Sequence, residues 1–235
     1  LLPVPCTTWR GKKDSTMDSA RDRILQRLRA RTAGSETRED AKWNTPQWDV
    51  PERIRRFTER MEAVRAEVHP TVADDWPGLL FRLAAARGVR TLLYGVDGPL
   101  ESMQHHGEPR LAPYDAPVET WKERLFFETD AAVTSSLGGI AETGTLVLWP
   151  TPEEPRLMSL VPPVHFCVLA VSALYPTFTA AMAEQRWAEQ MPTNALLISG
   201  PSKSADIEQT LAYGVHGPRE LVVLLVDDQT EPPGR

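Results

Sequence analysis

The sequence predicts an α/β domain with a largely parallel sheet flanked by helices, preceded by an N-terminal helical arm. Three observations carry this reading. Strand-length apolar runs alternate with helical patterns through the C-terminal part, as in a parallel sheet joined by crossovers. Before Gly88 the apolar spacing is helical instead. The composition, 41% apolar and 25% charged over 235 residues, suits a soluble globular chain with a sizeable core.

The elements follow in order. Residues 1–16 are short, mixed and polar, and are expected to be a non-native or disordered extension ahead of Met17. The arm spans 17–70. In it Asp18 to Arg31 is helical, with Ile24, Leu25 and Leu28 as one stripe among arginines. Trp43, Pro46, Trp48 and Pro51 mark an extended link whose tryptophans anchor the arm. Glu52–Val68 reads as a second helix ended by Pro70. The α/β domain covers 71–229. A third helix, Trp76–Ala86, stops at Gly88. Val89–Tyr94 is a buried strand, and Gly95–Pro117 a long polar loop. Trp121–Phe127 suits a helix, Ala131–Ser135 a strand, Leu137–Gly144 a Gly-rich turn and Thr145–Trp149 a strand. Thr151–Arg156 is a polar turn. Strands at Val164–Val171, Ala195–Ser199 and Leu221–Val226 alternate with helices at Phe178–Gln190 and Ser204–Tyr213. Residues 230–235 form a tail.

Charge and cysteine content narrow the function. Residues 1–69 hold 15 Lys/Arg and 11 Asp/Glu, a net +4; residues 70–235 hold 11 and 21, a net −10. A body at −10 repels a phosphate backbone, so no nucleic-acid partner is expected. Cys6 and Cys167 cannot supply the about four thiolates of an iron–sulfur cluster or a four-Cys zinc site. No disulfide framework is suggested, which fits a reducing cytoplasm. No apolar run reaches the ~18 residues of a membrane span, and no signal peptide is evident. Walker, G-x-G-x-x-G, H-E-x-x-H and G-x-S-x-G motifs are absent.

Three segments could carry chemistry. In the first, Gly138 to Thr145, glycines allow close backbone approach. Glu142 is placed to act as general base or nucleophile; the same residues would also make a tight hairpin with a surface acid. The second, Ser199 to Glu208, reads as strand end, turn and helix start. Ser204 is the expected N-cap, with Ser202 and Lys203 as further donors. Asp206 and Glu208 already complement that helix end, so a carboxylate or neutral hydroxyl compound fits better than a phosphate dianion. In the third, Tyr213 to Pro218, His216 is either a proton carrier or the fastener of a turn. His165, alone in an apolar strand, reads as structural. His105 and His106, adjacent in a loop, make a poor chelate, and no metal site is expected. Ser135 and Ser136 have no base nearby in sequence.

Together, Ala141–Thr145 after Ala131–Ser135, then Gly200–Glu208, then Gly214–Pro218 and the last strand resemble the LUD domain family, of the lactate utilization protein C (LutC/YkgG) type, over about Thr71–Asp228. The resemblance implies a NagB/RpiA/CoA transferase-like fold. It implies the cluster-free subunit of a complex oxidising L-lactate to pyruvate, with iron–sulfur clusters on two partner proteins and no cofactor bound by this chain. The cysteine count agrees with that division of labour. A short 2-hydroxy acid would then lie among Gly139, Thr143, Gly144, Thr145, Gly200, Ser202, Lys203, Ser204 and Asp206, with Glu142 or His216 taking the proton. In CoA transferases of related fold a glutamate in a sheet-end loop is the nucleophile, and Glu142 is similar in setting. A stand-alone isomerase or acyl transferase using Glu142, or a scaffold without ligand, are the alternatives.

Overall fold

A computed structural model describes residues 15–32, 45–96, 98–101, 105–205, 211–214 and 216–229. The chain divides into two compact units at Asn44/Thr45. In the first unit the described element is helix α1 (Ser15–Thr32), on which Ile24 and Leu28 are exposed. Nearly all of the expected 1–16 extension, and the whole 230–235 tail, lie outside the described residues.

The second unit begins ahead of α2 (Val50–Ala63). Asp49 caps it by accepting the Glu52 N–H at 2.9 Å, and Pro51 sits where the helix needs no donor. Arg56 stacks its guanidinium 4.1 Å from the Trp48 ring, a contact within the expected arm, and Trp43 lies outside the described residues. The helix stops earlier than its periodicity suggests. Arg65 turns at φ +70°, and Glu67–Val72 is strand β1, not the end of the helix. Pro70 is tolerated there because β1 is an edge strand. The part of the expected arm from Thr45 onward therefore belongs to the α/β unit.

Next come α3 (Trp76–Ala86), ended by Gly88 at φ +66°, β2 (Thr91–Gly95), β3 (Arg110–Tyr114), α4 (Val118–Phe127) and β4 (Ala131–Ser135). Strand β3 lies inside the segment expected to be all loop. It is the opposite edge, and it too carries a proline, Pro113. Then follow β5 (Gly138–Ile140), β6 (Thr145–Leu148), α5 (Leu157–Leu160), β7 (Val164–Ala170), β8 (Leu174–Tyr175), α6 (Phe178–Glu184) and β9 (Leu196–Ile198). The last elements are β10 (Lys203–Ala205), β11 (Leu211–Tyr213) and β12 (Glu220–Asp227). The expected helix Ser204–Tyr213 is thus corrected. Its two ends pair as an antiparallel hairpin, Lys203 opposite Tyr213 and Ala205 opposite Leu211.

Six strands form one parallel sheet in the order β1-β12-β7-β4-β2-β3. Its central strands are buried on both faces, which explains their unbroken apolar runs. On one face Cys167, Leu169, Val223 and Leu225 meet Phe57 and Met61 of α2. On the other, Phe166, Val222 and Leu224 meet Leu80 and Ala84 of α3. Burying each large side chain contributes roughly 1.5–3 kcal/mol. Trp121 and Leu125 of α4 pack on Leu93, Ala112 and Ala132. A smaller sheet, β8-β5-β6-β9, supplies Leu146 to the α2 core.

Candidate functional site

The second and third segments meet. The Ser202 N–H donates to the Pro218 carbonyl at 2.8 Å, and the Gly214 N–H to the Ser202 carbonyl at 2.9 Å. Gly217 closes on Ser202, where a Cβ would stand 3.0 Å from the serine Cβ. Gly200, at φ +129°, leans on Val64, whose Cγ2 would lie 2.8 Å from a Cβ. The result is a cavity of about 270 Å³ whose polar lining is Ser159, His165, Ser199, Ser202 and His216. A second cavity of about 400 Å³ adjoins it, shares Leu160, His216 and Gly217, and adds Arg219. Among the described residues, neither lining holds an Asp or Glu. Lys203 is exposed and Ser204 half-buried in β10, so Ser204 caps no helix. Asp206 lies outside the described residues.

His165 is fully buried at the start of β7. Its Nε2 lies 2.9 Å from Thr134 Oγ1 on β4, and its Nδ1 has no hydrogen-bond partner. Burial pushes its pKa down to about 3, so the ring is neutral. Thr134 Oγ1 and Cys167 Sγ are 4.0 Å apart, and Cys167 Sγ and the Ser135 carbonyl also 4.0 Å. Burial pushes the Cys167 thiol up to about 12, so it keeps its proton.

The Glu142 turn lies to the side. Residues 141–144 join β5 to antiparallel β6, and the Glu142 N–H donates to the Pro176 carbonyl at 3.1 Å. Its side chain is exposed and belongs to neither cavity lining. Gly139 faces the core, where a Cβ would meet Leu169, Leu174 and Phe57. Gly144, at φ +61°, lets the turn rest against Arg60 of α2. A chain of hydroxyls connects this turn to the cavity: Thr143 Oγ1 is 2.7 Å from Thr145 Oγ1, which is 2.7 Å from Ser199 Oγ.

A second locus stands at the carboxyl end of the sheet. The chain leaves β2 toward β3 and leaves β4 in the opposite direction, toward β7, so adjacent β2 and β4 form a topological switch point. Glu154 occupies it. Its carboxylate accepts the Ser135 N–H at 3.1 Å and the Ser135 hydroxyl at 2.5 Å. Gly95 and Gly98 leave it room; a Cβ on Gly98 would come 2.5 Å from Glu154 Oε1. Burial raises its pKa, against the lowering effect of the Ser135 donors.

The family model described as the LUD domain matches residues 54–226. The chain belongs to the LUD domain family. An uncharacterized protein of Neisseria meningitidis serogroup B is 40% identical, over 74% of this chain and 77% of that protein. Lactate utilization protein C 1 of Bacillus mycoides is 28% identical, over 81% and 89%. Lactate utilization protein C of Bacillus licheniformis is 31% identical over 58% of each. The crystal structure of a DUF162 family protein from Deinococcus radiodurans shares the fold, with a TM-score of 0.58 at 22% identity, covering 76% of this chain and 99% of that one.

Within this LUD domain, sequence reasoning singles out Gly200, Ser202 and His216, which line one cavity, reads His165 beside them as structural, and overlooks Ser159 and Arg219. The one signal for His165 is a polar ring inside an otherwise apolar strand. Glu154 gives no sequence signal beyond an acid in a polar turn. Among the described residues no group of three or more His, Cys, Asp or Glu could hold a metal ion, and no helix is long and apolar enough to cross a membrane.

Proposed function

We propose that this LUD domain protein serves lactate utilization, holding a short 2-hydroxy acid in the cavity between Ser202 and His216 while iron–sulfur partner proteins carry the electrons. The names of the relatives from Bacillus mycoides and Bacillus licheniformis support the role. The observation that carries the site is the convergence of two separate segments on a small cavity without acids in its described lining, inside a chain of net charge −6. A carboxylate is less repelled there than elsewhere on an acidic body. Oxidising lactate to pyruvate removes the hydroxyl proton and a hydride equivalent. His216 is placed to accept the proton. An iron–sulfur route for the electrons lies on another molecule, because two cysteines cannot supply a cluster's about four thiolates. The alternative, an isomerase or acyl transferase acting through Glu142, draws less support, since that carboxylate is exposed outside the cavity.

The test is complementation. A strain deleted for this gene, grown on L-lactate as sole carbon source, is expected to recover with the native chain. With Ser202→Ala or His216→Ala the growth rate should fall roughly tenfold or more. Affinity-purified native chain is expected to bring down proteins with iron–sulfur absorbance. Unimpaired growth of the deletion strain sinks the reading.

A further inference from the structure

The two adjoining cavities offer a ligand different things. The cavity of about 270 Å³ has an apolar wall made by Leu160, Leu197, Ile198 and Leu221. Leu160 and Leu197 are 37% and 51% exposed, although both are large apolar side chains. Apolar surface left open beside a cavity marks a place where a ligand is received. The cavity of about 400 Å³ supplies a cation, Arg219. That residue is held from two sides. Its backbone N–H donates to the Pro163 carbonyl at 2.8 Å, and its stem crosses the bare backbone of Gly214, where a Cβ would run into Arg219 Cγ. Gly214 stands at φ +72°, which suits a residue without a side chain. Among the described residues, no carboxylate lies in either lining to neutralise the guanidinium.

From this arrangement we infer that the ligand lies across the junction of the two cavities, its carboxylate on Arg219, its C2 hydroxyl at His216 and its C2 substituent against Leu160 and Leu197, so that 2-hydroxy acids with an aliphatic substituent longer than methyl bind in preference to lactate. The inference deepens the proposed function and rests on it for the 2-hydroxy acid class. His216 belongs to both linings, so a C2 placed at His216 has a cavity on each side. The guanidinium decides which side takes the carboxylate, because its paired N–H groups match the two carboxylate oxygens. The leucine wall decides which side takes the substituent. Lactate offers that wall one methyl group, about the size of a water at about 30 Å³, and leaves most of the cavity unfilled. Each further carbon removes apolar surface from water on the ligand and on the two exposed leucines together.

The experiment is calorimetry on the full chain at pH 7 with L-lactate, L-2-hydroxybutanoate and L-2-hydroxy-4-methylpentanoate. Affinity should rise about fourfold for each carbon added. Leu197→Ser, at a side chain half exposed and so tolerant of change, should flatten that rise. The native chain should prefer 2-hydroxy-4-methylpentanoate to its amide by about tenfold or more, and Arg219→Gln should lose the preference. Equal affinity along the series, no binding of any of the three acids, an undiminished rise in Leu197→Ser, or a preference for acid over amide that survives Arg219→Gln overturns the inference. The two readings fail separately. Tighter binding of the longer acids without a growth phenotype on lactate would overturn the lactate-utilization role alone. A growth phenotype with a flat series would overturn the placement of the substituent alone.

Discussion

Ser135 gives both its backbone N–H and its hydroxyl to the Glu154 carboxylate, tying the end of β4 to the turn over residues 151–156. The tie spans the point where the strand connections diverge, and Gly95 and Gly98 exist as glycines to let it close. Because burial outweighs the two donors, the Glu154 pKa is raised in the folded state. The folded protein therefore holds this proton more tightly than the unfolded chain. Its contribution to stability is fully present below the unfolded carboxylate range and is lost as pH rises through the folded value. Glu154→Gln keeps an acceptor for Ser135 and removes the titration. Thermal melts from pH 4 to 8 should show the variant gaining on the native chain as pH rises. A gap that stays constant with pH would contradict this.

Gly144 and Gly88 share a positive φ but differ in what surrounds them. A Cβ on Gly88 meets open space, whereas one on Gly144 would run into Arg60 Cβ and lie 3.1 Å from backbone atoms of α2. Gly88→Ala should cost the backbone penalty alone, about 1–2 kcal/mol. Gly144→Ala should cost about 1–3 kcal/mol more, from overpacking. Urea denaturation midpoints with unchanged slopes would measure both.

Arg87, at the end of α3, bridges Glu67 of β1 and Glu220 of β12 while only 14% of its side chain is exposed. Burial raises the Glu67 pKa, but hydrogen bonds from Arg87 and His69 hold it below the usual carboxylate range overall. That stabilisation is present above the unfolded pKa and is lost as pH falls through the lower folded value. Arg87→Met should cost about 1–2 kcal/mol at pH 7, discounted because both acids are half exposed. The loss should shrink below pH 4. Melts of the two proteins across pH 3–7 check it; equal losses at both ends would rule out the ionic origin.

The central sheet is legible in the sequence because its strands are apolar on both sides; β12, β7 and β4 announce themselves by composition. The edges are not, because Pro70 and Pro113 argue against strands everywhere except at an edge, and which strand is an edge is a property of the whole sheet. The Ser204–Tyr213 helix misleads because capping residues and apolar spacing there also suit a hairpin, and the pairing of Lys203 with Tyr213 decides it. At the site, Ser202 and His216 are readable as turn residues with chemistry. The place of His165 in the cavity lining is not, since it depends on the segments joined by the Ser202–Pro218 backbone contact. Glu142 is conspicuous in sequence for the same reason it is exposed: a carboxylate on a two-strand turn faces water.

Among the described residues strand β1 pairs with β12 alone, Glu67 lying opposite Val222 and Val72 opposite Asp227. During synthesis, therefore, α2 and β1 leave the ribosome long before the segment that receives them has been translated. The nascent chain must wait with the apolar face of α2 and an unpaired strand on display, a period in which association with other emerging chains competes with correct closure. Slowing translation between β1 and β12 would prolong that exposure, which makes yield in the cell sensitive to codon choice and chaperone supply.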